Sequence, residues 1–301
     1  FYVYSVTGAD TYTGEDVDHP LATLDAAVNK CTANRGDIIY ALQNHAENLA
    51  AANGVDADVA GITIVGLGSG DDMPTFTMTN AAGEFVIGAA NVTIKNLRFV
   101  AGVSAVIMGV SVEAAGDYFT MLDCEFVTPG TATYEFYDMV DLASGADYAF
   151  LAGNKFHSTV TTTGCNEAID ISAGVVARCA IVGNDFQGQF AVAGIYSNQI
   201  NTDMYIAYNT IANATTGQLA IELTAAATGI AEFNMMYGDT WGTAGVGIFD
   251  PGSLKCFENY GATAVDKPAS LIPSISLGQD MYQWLNGADG MSTWLAGAKP
   301  A

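Results

Sequence analysis

Positive charge is scarce in this sequence. Nine Lys and Arg stand against 32 Asp and Glu, a formal net charge of −23 over 301 residues. The closest basic pair is Lys95 and Arg98. A phosphate backbone needs clustered cations, so nucleic acid is excluded as a partner. A polyanionic sugar is repelled too unless a cation intervenes. Long apolar runs are also missing, and no stretch is suited to cross a membrane as a helix. No charged segment followed by an apolar core opens the chain, so no signal peptide is expected. The five cysteines, Cys31, Cys124, Cys165, Cys179 and Cys256, are odd in number and scattered. That spacing offers neither a metal motif nor a disulfide framework, and buried free thiols in a reducing compartment are expected. Charged residues make up 14% of the chain, against roughly 25% in typical domains. Half the residues are nonetheless hydrophobic, so disorder is excluded.

What the sequence has in abundance is a period. Asn184, Asn209, Asn234 and Asn259 follow one another at steps of 25, and Asn154 lies 30 before Asn184. Each is preceded by a short apolar run, such as "DYAFLA", "DMYIAY" or "LKCF". Phe156, Phe186, Ile211 and Met236 stand two residues after their Asn. After a variable turn comes a second run, such as "DMVDLAS", "EAIDIS" or "LAIELT". Leu97 and Cys124 occupy the Asn position in two earlier rungs. Runs of ~4–6 residues rich in Val, Ile, Tyr and Phe between Gly and Asn are strand signals. Antiparallel hairpins do not keep like residues at constant spacing, whereas a parallel coil stacks them ~4.8 Å apart. The fold class predicted is all-β, a right-handed parallel β-helix. Asn154, Asn184, Asn209, Asn234 and Asn259 are read as its internal ladder. They are expected at tight bends in a left-handed conformation, bonding the rungs above and below.

The ends of a solenoid must differ from its middle. Residues 1–60 are expected to form an N-terminal cap and the first rungs, residues 61–261 the β-helix, and residues 262–301 a C-terminal cap or docking tail. In the first part an amphipathic helix is predicted, with Asp18 as its cap and Pro20 in its first turn. Leu21, Leu24, Ala27, Val28 and Cys31 form its apolar stripe. In the tail, Trp284 and Trp294 are docking candidates.

Three acidic residues recur in the second run: Asp141, Asp170 and Glu222. Alternation points them outward, with Tyr196 on the intermediate rung and Phe249 on the next. Paired carboxylates on such a face are the means of glycoside hydrolysis, and the aromatics are candidates to stack on a glycan. The plainer alternative is a solvated polar face, and a third is a hard cation between Asp141 and Asp170. His45 with Glu47 is the best local acid–base pair, although a backbone hydrogen bond from His45 suffices to explain it. Lys95 and Arg98 are expected to face outward without an acidic cluster on neighbouring rungs, which disfavours proton abstraction of the lyase kind. The sequence suggests no metal ligands and no cofactor.

"PLATLDAAVNKC" followed by "GDIIYALQNHAENL" resembles the entry into pectate-lyase-like β-helix proteins. Residues 44–47, 58–78, 89–101 and 124–126 more closely resemble a family encoded among phage and prophage structural genes. The resemblance covers roughly residues 20–190, with Asn44 in place of the Gly usual before His-Ala-Glu. It implies a phage virion structural protein at the virion surface, a capsid decoration, fibre or spike component. Its implied partners are a major capsid or other virion protein and, by analogy, two further copies in a trimer. Catalysis is not expected of such a component but is left open. The alternatives are a glycan-cleaving spike or extracellular polysaccharide enzyme using the carboxylates, and a sugar-binding adhesin.

Overall fold

A computed structural model describes residues 1–129, 133–158, 165–238, 249–263 and 272–274. The chain coils into a parallel β-solenoid of three sheets. The first sheet holds ten strands, from Tyr2–Val3 and Ile38–Ala41 to Gly229–Glu232 and Lys255–Phe257. The second sheet also holds ten, from Ala46–Leu49 to Asn259–Thr263 and Ile272–Ser274. The third holds eight, from Val55–Asp56 to Phe249–Asp250. Among the described residues every strand pairing is parallel except the last, where Ile272–Ser274 runs antiparallel to Asn259–Thr263. Each full turn therefore carries three strands, one more than the two runs recognised in the sequence. The extra one, such as Lys155–Ser158 or Asp185–Gly188, begins directly after the Asn and carries the apolar residue two positions on.

Inward positions stack in register. Ile39, Ile64, Ile94, Met121, Leu151, Ile181 and Ile206 form one unbroken buried column of the first sheet. In the second sheet Phe76, Phe99, Phe126, Phe156 and Phe186 stack with centroids 4.7–6.0 Å apart and planes within 29°. Offset stacking adds about 0.5–1.5 kcal/mol per pair beyond burial. In-register parallel pairing is what lets one aromatic position repeat through five turns.

The asparagines lie on the inside of the bend between the first and second sheets. Asn209 shows the pattern. Its Oδ1 accepts from the backbone N–H of Asn184 at 3.0 Å and from Asn184 Nδ2 at 3.0 Å. Its Nδ2 donates to the Ile181 carbonyl at 2.8 Å and to Asn234 Oδ1 at 2.9 Å. Asn184 and Asn234 repeat these contacts. The amide thus meets its full capacity of two accepted and two donated bonds in a buried site. The left-handed residue is not the Asn itself but the one before it. Gly153, Gly183, Tyr208, Phe233 and Glu258 have φ between 45° and 68°. From Asn154 onward the bend uses one positive-φ residue and one amide, and two adjacent residues divide the work.

Of the expected N-terminal helix only a five-residue α-helix forms, Leu24–Val28, capped by Thr23, whose Oγ1 accepts from the Ala26 N–H at 3.3 Å. Asp18 and Pro20 lie outside it. Leu21 is recruited instead into a parallel bridge with Val3, and the chain before it runs through turns. Leu24, Ala27 and Val28 still join the core. All five cysteines are free, four of them buried. Trp284 and Trp294 lie outside the described residues, as does most of the tail.

Candidate functional site

The outward faces of the three sheets differ sharply in charge. On the second sheet Arg98, Glu125, Lys155 and Asp185 occupy successive in-register positions, so that opposite charges alternate. Arg98 reaches Glu125 at 2.8 Å and also donates to the Gly70 carbonyl. Lys95, on the first sheet, lies 3.5 Å from Asp123. Lys95 and Arg98 therefore do have acidic neighbours on the adjacent rung, contrary to the expectation from sequence. Around them Ser69, Asn96, Asp123 and Lys155 line a cavity of about 320 Å³. Opposite charges across neighbouring strands are stabilising, and the scarce cations are spent here.

The third sheet has no such compensation. Asp56, Val86, Ser111, Asp141, Asp170, Tyr196, Glu222 and Asp250 follow one another in register. Asp141 and Asp170 are direct neighbours, and Tyr196 stands between Asp170 and Glu222. A second pair, Asp138 and Glu167, faces across the same two strands. In Phe136–Leu142 the strand bends, so Met139 and Val140 both turn inward while Asp138 and Asp141 flank the bend on the outside. Four carboxyl groups thus crowd onto two adjacent strands ~4.8 Å apart. Among the described residues, no Lys or Arg occupies either run of positions.

The crowding shifts protons. Burial, followed by the charges of Asp170, Asp138 and Glu84, pushes the Asp141 carboxyl up to about 7. Glu167 is raised by burial and by its hydrogen bond to Asp138, and Asp138 is raised by burial. Two carboxyl groups in a hydrogen bond must share a proton, and burial raises both so that the pair retains it. Burial also raises Asp170, while a hydrogen bond from the Ser172 hydroxyl at 2.7 Å opposes the rise. Glu222 is raised by burial and by Asp250. One oxygen each of Asp138 and Asp170 is shielded from solvent without a hydrogen-bond partner among the described residues. Placing like charges opposite each other weakens a sheet. A face that does so without countercharge departs from the rule the second sheet follows, as functional sites often do. Chemically it offers a protonated acid beside ionised carboxylates at neutral pH. No group of three His, Cys, Asp or Glu side chains among the described residues is placed to hold a metal ion.

Phe249 is not on this face. It pairs with Ile221 in the inward column that runs through Val110, Val140, Ile169 and Ile195, and it is 4% exposed. Asp250 holds the outward place that Phe249 was expected to hold. Asp138 and Glu167 were overlooked in the sequence, although their step of 29 equals that from Asp141 to Asp170.

His45 and Glu47 form a buried clamp. The Ser5 N–H donates to His45 Nδ1 at 3.0 Å, which leaves the proton on Nε2 to bond Glu47 at 3.1 Å. Glu47 also accepts from the Leu24 N–H at 2.9 Å. The His45 ring, fully buried, lies against the first phenylalanine of the stack. With both nitrogens committed, the pair ties the N-terminal segment to the coil.

No family model, no curated protein and no solved structure gives a significant match to this chain.

Proposed function

We propose that the chain is a non-catalytic structural rod of a phage virion surface, a decoration, fibre or spike component docked to a capsid or other virion protein. The observation that carries this reading is the continuity of the rod. Three parallel sheets, a saturated amide ladder and a stacked aromatic column link every turn to the next. Such a shaft resists bending and local opening, because each rung can loosen only by orphaning bonds in two others. The acidic third sheet keeps crowded copies apart by mutual repulsion. The resemblance of residues 20–190 to phage structural proteins supports the same role. Quantitative mass spectrometry of purified particles, with the major capsid protein as the internal standard, tests it. Hundreds of copies support a decoration and a few tens support a spike, whereas absence from the particle refutes the reading.

One observation favours a second reading, a glycan-cleaving surface. On the third sheet Asp138 and Glu167 share a proton, and burial pushes the Asp141 carboxyl up to about 7. Hydrolysis of a glycosidic bond pairs a proton-bearing acid with a second carboxylate about 5–9.5 Å away. Since Asp138 and Glu167 are bonded to each other, the second carboxylate is Asp141 or Asp170 on the same two strands. Reducing-end release from a panel of neutral polysaccharides, abolished in Glu167→Gln and Asp141→Asn, would establish it. No release from any of them removes it.

A further inference from the structure

We infer that the outward face of the first sheet is a self-association surface that pairs with the same face of a second copy of this chain. This extends the structural reading to assembly, but it stands on the face itself and not on the virion context.

The argument begins with the absence of charge. From the strand Thr120–Leu122 to the strand Gly229–Glu232, outward positions include Leu122, Phe150, Val182, Tyr205 and Ile230. No charged residue occupies an outward position between Lys95 on one side and Glu232 on the other. Glu232 itself accepts a hydrogen bond from the Tyr205 hydroxyl at 2.7 Å. Phe150 and Ile230 are exposed, at 39% and 37%. In a chain of net charge −23, a strip of this kind is an exception. Large exposed apolar faces mark interaction sites.

The two edges of the strip provide an independent observation. In the turns that enter the first sheet, Tyr118 and Tyr148 stack at 4.4 Å. In the turns that leave it, Tyr208 and Phe233 stack at 5.0 Å. All four have φ between 54° and 59°. Asn91 holds the turn position one rung before Tyr118, and Asn96, Asp123, Gly153 and Gly183 hold those before Tyr208, residues that adopt this conformation readily. A bulky aromatic there costs backbone strain, and the ring is left in solvent: Tyr118 is 49% exposed and Tyr208 56%. Strained, exposed aromatics in rows on both sides of an uncharged strip have the composition of an interface, enriched in Tyr and Phe. Arg178, over the Tyr148 ring and 3.6 Å from Asp203, gives one edge a polar rim.

Charge selects the occupant. A second copy meets like charge if it approaches through the third sheet, and least repulsion if it approaches through the first. Size agrees as well. The uncharged strip takes five of the ten strands. The whole face, at ~4.8 Å per strand and about 10 Å of strand width, is roughly 450 Å² per copy, which the aromatic edges widen. Two such faces approach the ~1,000 Å² at which specific interfaces begin. Sheets of this kind pack face to face ~10 Å apart.

Light scattering coupled to size-exclusion chromatography of the purified chain is the test. The expected species has twice the 31.3 kDa chain mass, and Phe150→Glu and Val182→Glu each weaken its association at least tenfold. Ala212→Glu, outward on the second sheet, leaves it unchanged. Phe150→Thr and Val182→Thr, which keep strand propensity, replace any Glu variant that fails to fold by circular dichroism. A wild-type monomer at micromolar concentration overturns the proposal, because the face is then covered by another part of the chain or by another partner. An oligomer indifferent to all four substitutions overturns it too, because association then runs through a different face.

Discussion

Replacing Asn209 with Ala removes one member of the ladder and tests the account of the fold most directly. Four hydrogen bonds disappear: two accepted by Oδ1 and two donated by Nδ2. Two donors are orphaned in the interior, the Asn184 backbone N–H and one Asn184 amide proton. Each buried unsatisfied donor costs about 1–3 kcal/mol, so the expected loss is about 4 kcal/mol. A water admitted to the vacated space lowers it toward about 2 kcal/mol. Asn154 provides an internal comparison, because among the described residues its Oδ1 accepts only from the Cys124 N–H. Asn154→Ala orphans a single donor and is expected to cost about half as much. Asn198→Ala, at an exposed position, is the control and is expected to stay within ~0.5 kcal/mol. Urea denaturation followed by circular dichroism and by tryptophan fluorescence measures all three, and coincident transitions license the comparison. If Asn209→Ala were no worse than Asn198→Ala, the ladder would be an ornament of the repeat and not a cause of its stability.

Three further outcomes are expected. Phe126→Ala, in the middle of the aromatic stack, should cost about 3–5 kcal/mol in the same assay, since both stacking partners are lost along with a buried ring. Asp141→Asn should raise the urea midpoint strongly at pH 8 and much less at pH 5. The folded-state value of Asp141, about 7, lies above the unfolded value of ~3.9. The native state therefore holds the extra proton, and stability falls as pH rises from the unfolded value through the folded one. A wild type that gains stability between pH 5 and pH 8 and loses it on this substitution would contradict the sign. His45→Ala should cost about 2–4 kcal/mol and accelerate hydrogen exchange at Ser5 and Leu24, because the Ser5 N–H loses its acceptor and Glu47 its partner.

The repeat was legible because parallel pairing puts like residues on like positions. Asn209, Asn234 and Asn259 keep one spacing, and hydrogen bonds between neighbouring amides reward that spacing. The third strand of each turn was not legible, since runs such as Lys155–Ser158 are too short to separate from the bend before them. The left-handed residue was misplaced for a related reason. Tyr208, Phe233 and Glu258 are not turn formers, and only the closed coil imposes positive φ on them. Phe249 was misjudged because the step from Glu222 to its partner on the next rung is 28 residues and not 27, so that Asp250 takes the outward place.

The candidate site divides in the same way. Asp141, Asp170, Tyr196 and Glu222 were brought together on paper by their steps, and the pairing register places them side by side. The protonation of that face depends on Asp138 and Glu167, whose side chains meet only when the strand bends at Met139 and Val140. The helix expected at the N-terminus was decided by a contact 18 residues away, the bridge from Leu21 to Val3. By itself the sequence determines the period, the sheet-forming runs and the sign of the charge, because these are local and repeat. Where each side chain points, which charges lack a partner and which face stays uncharged depend on neighbours 25–30 residues distant in the chain. Those neighbours exist only once the coil has closed.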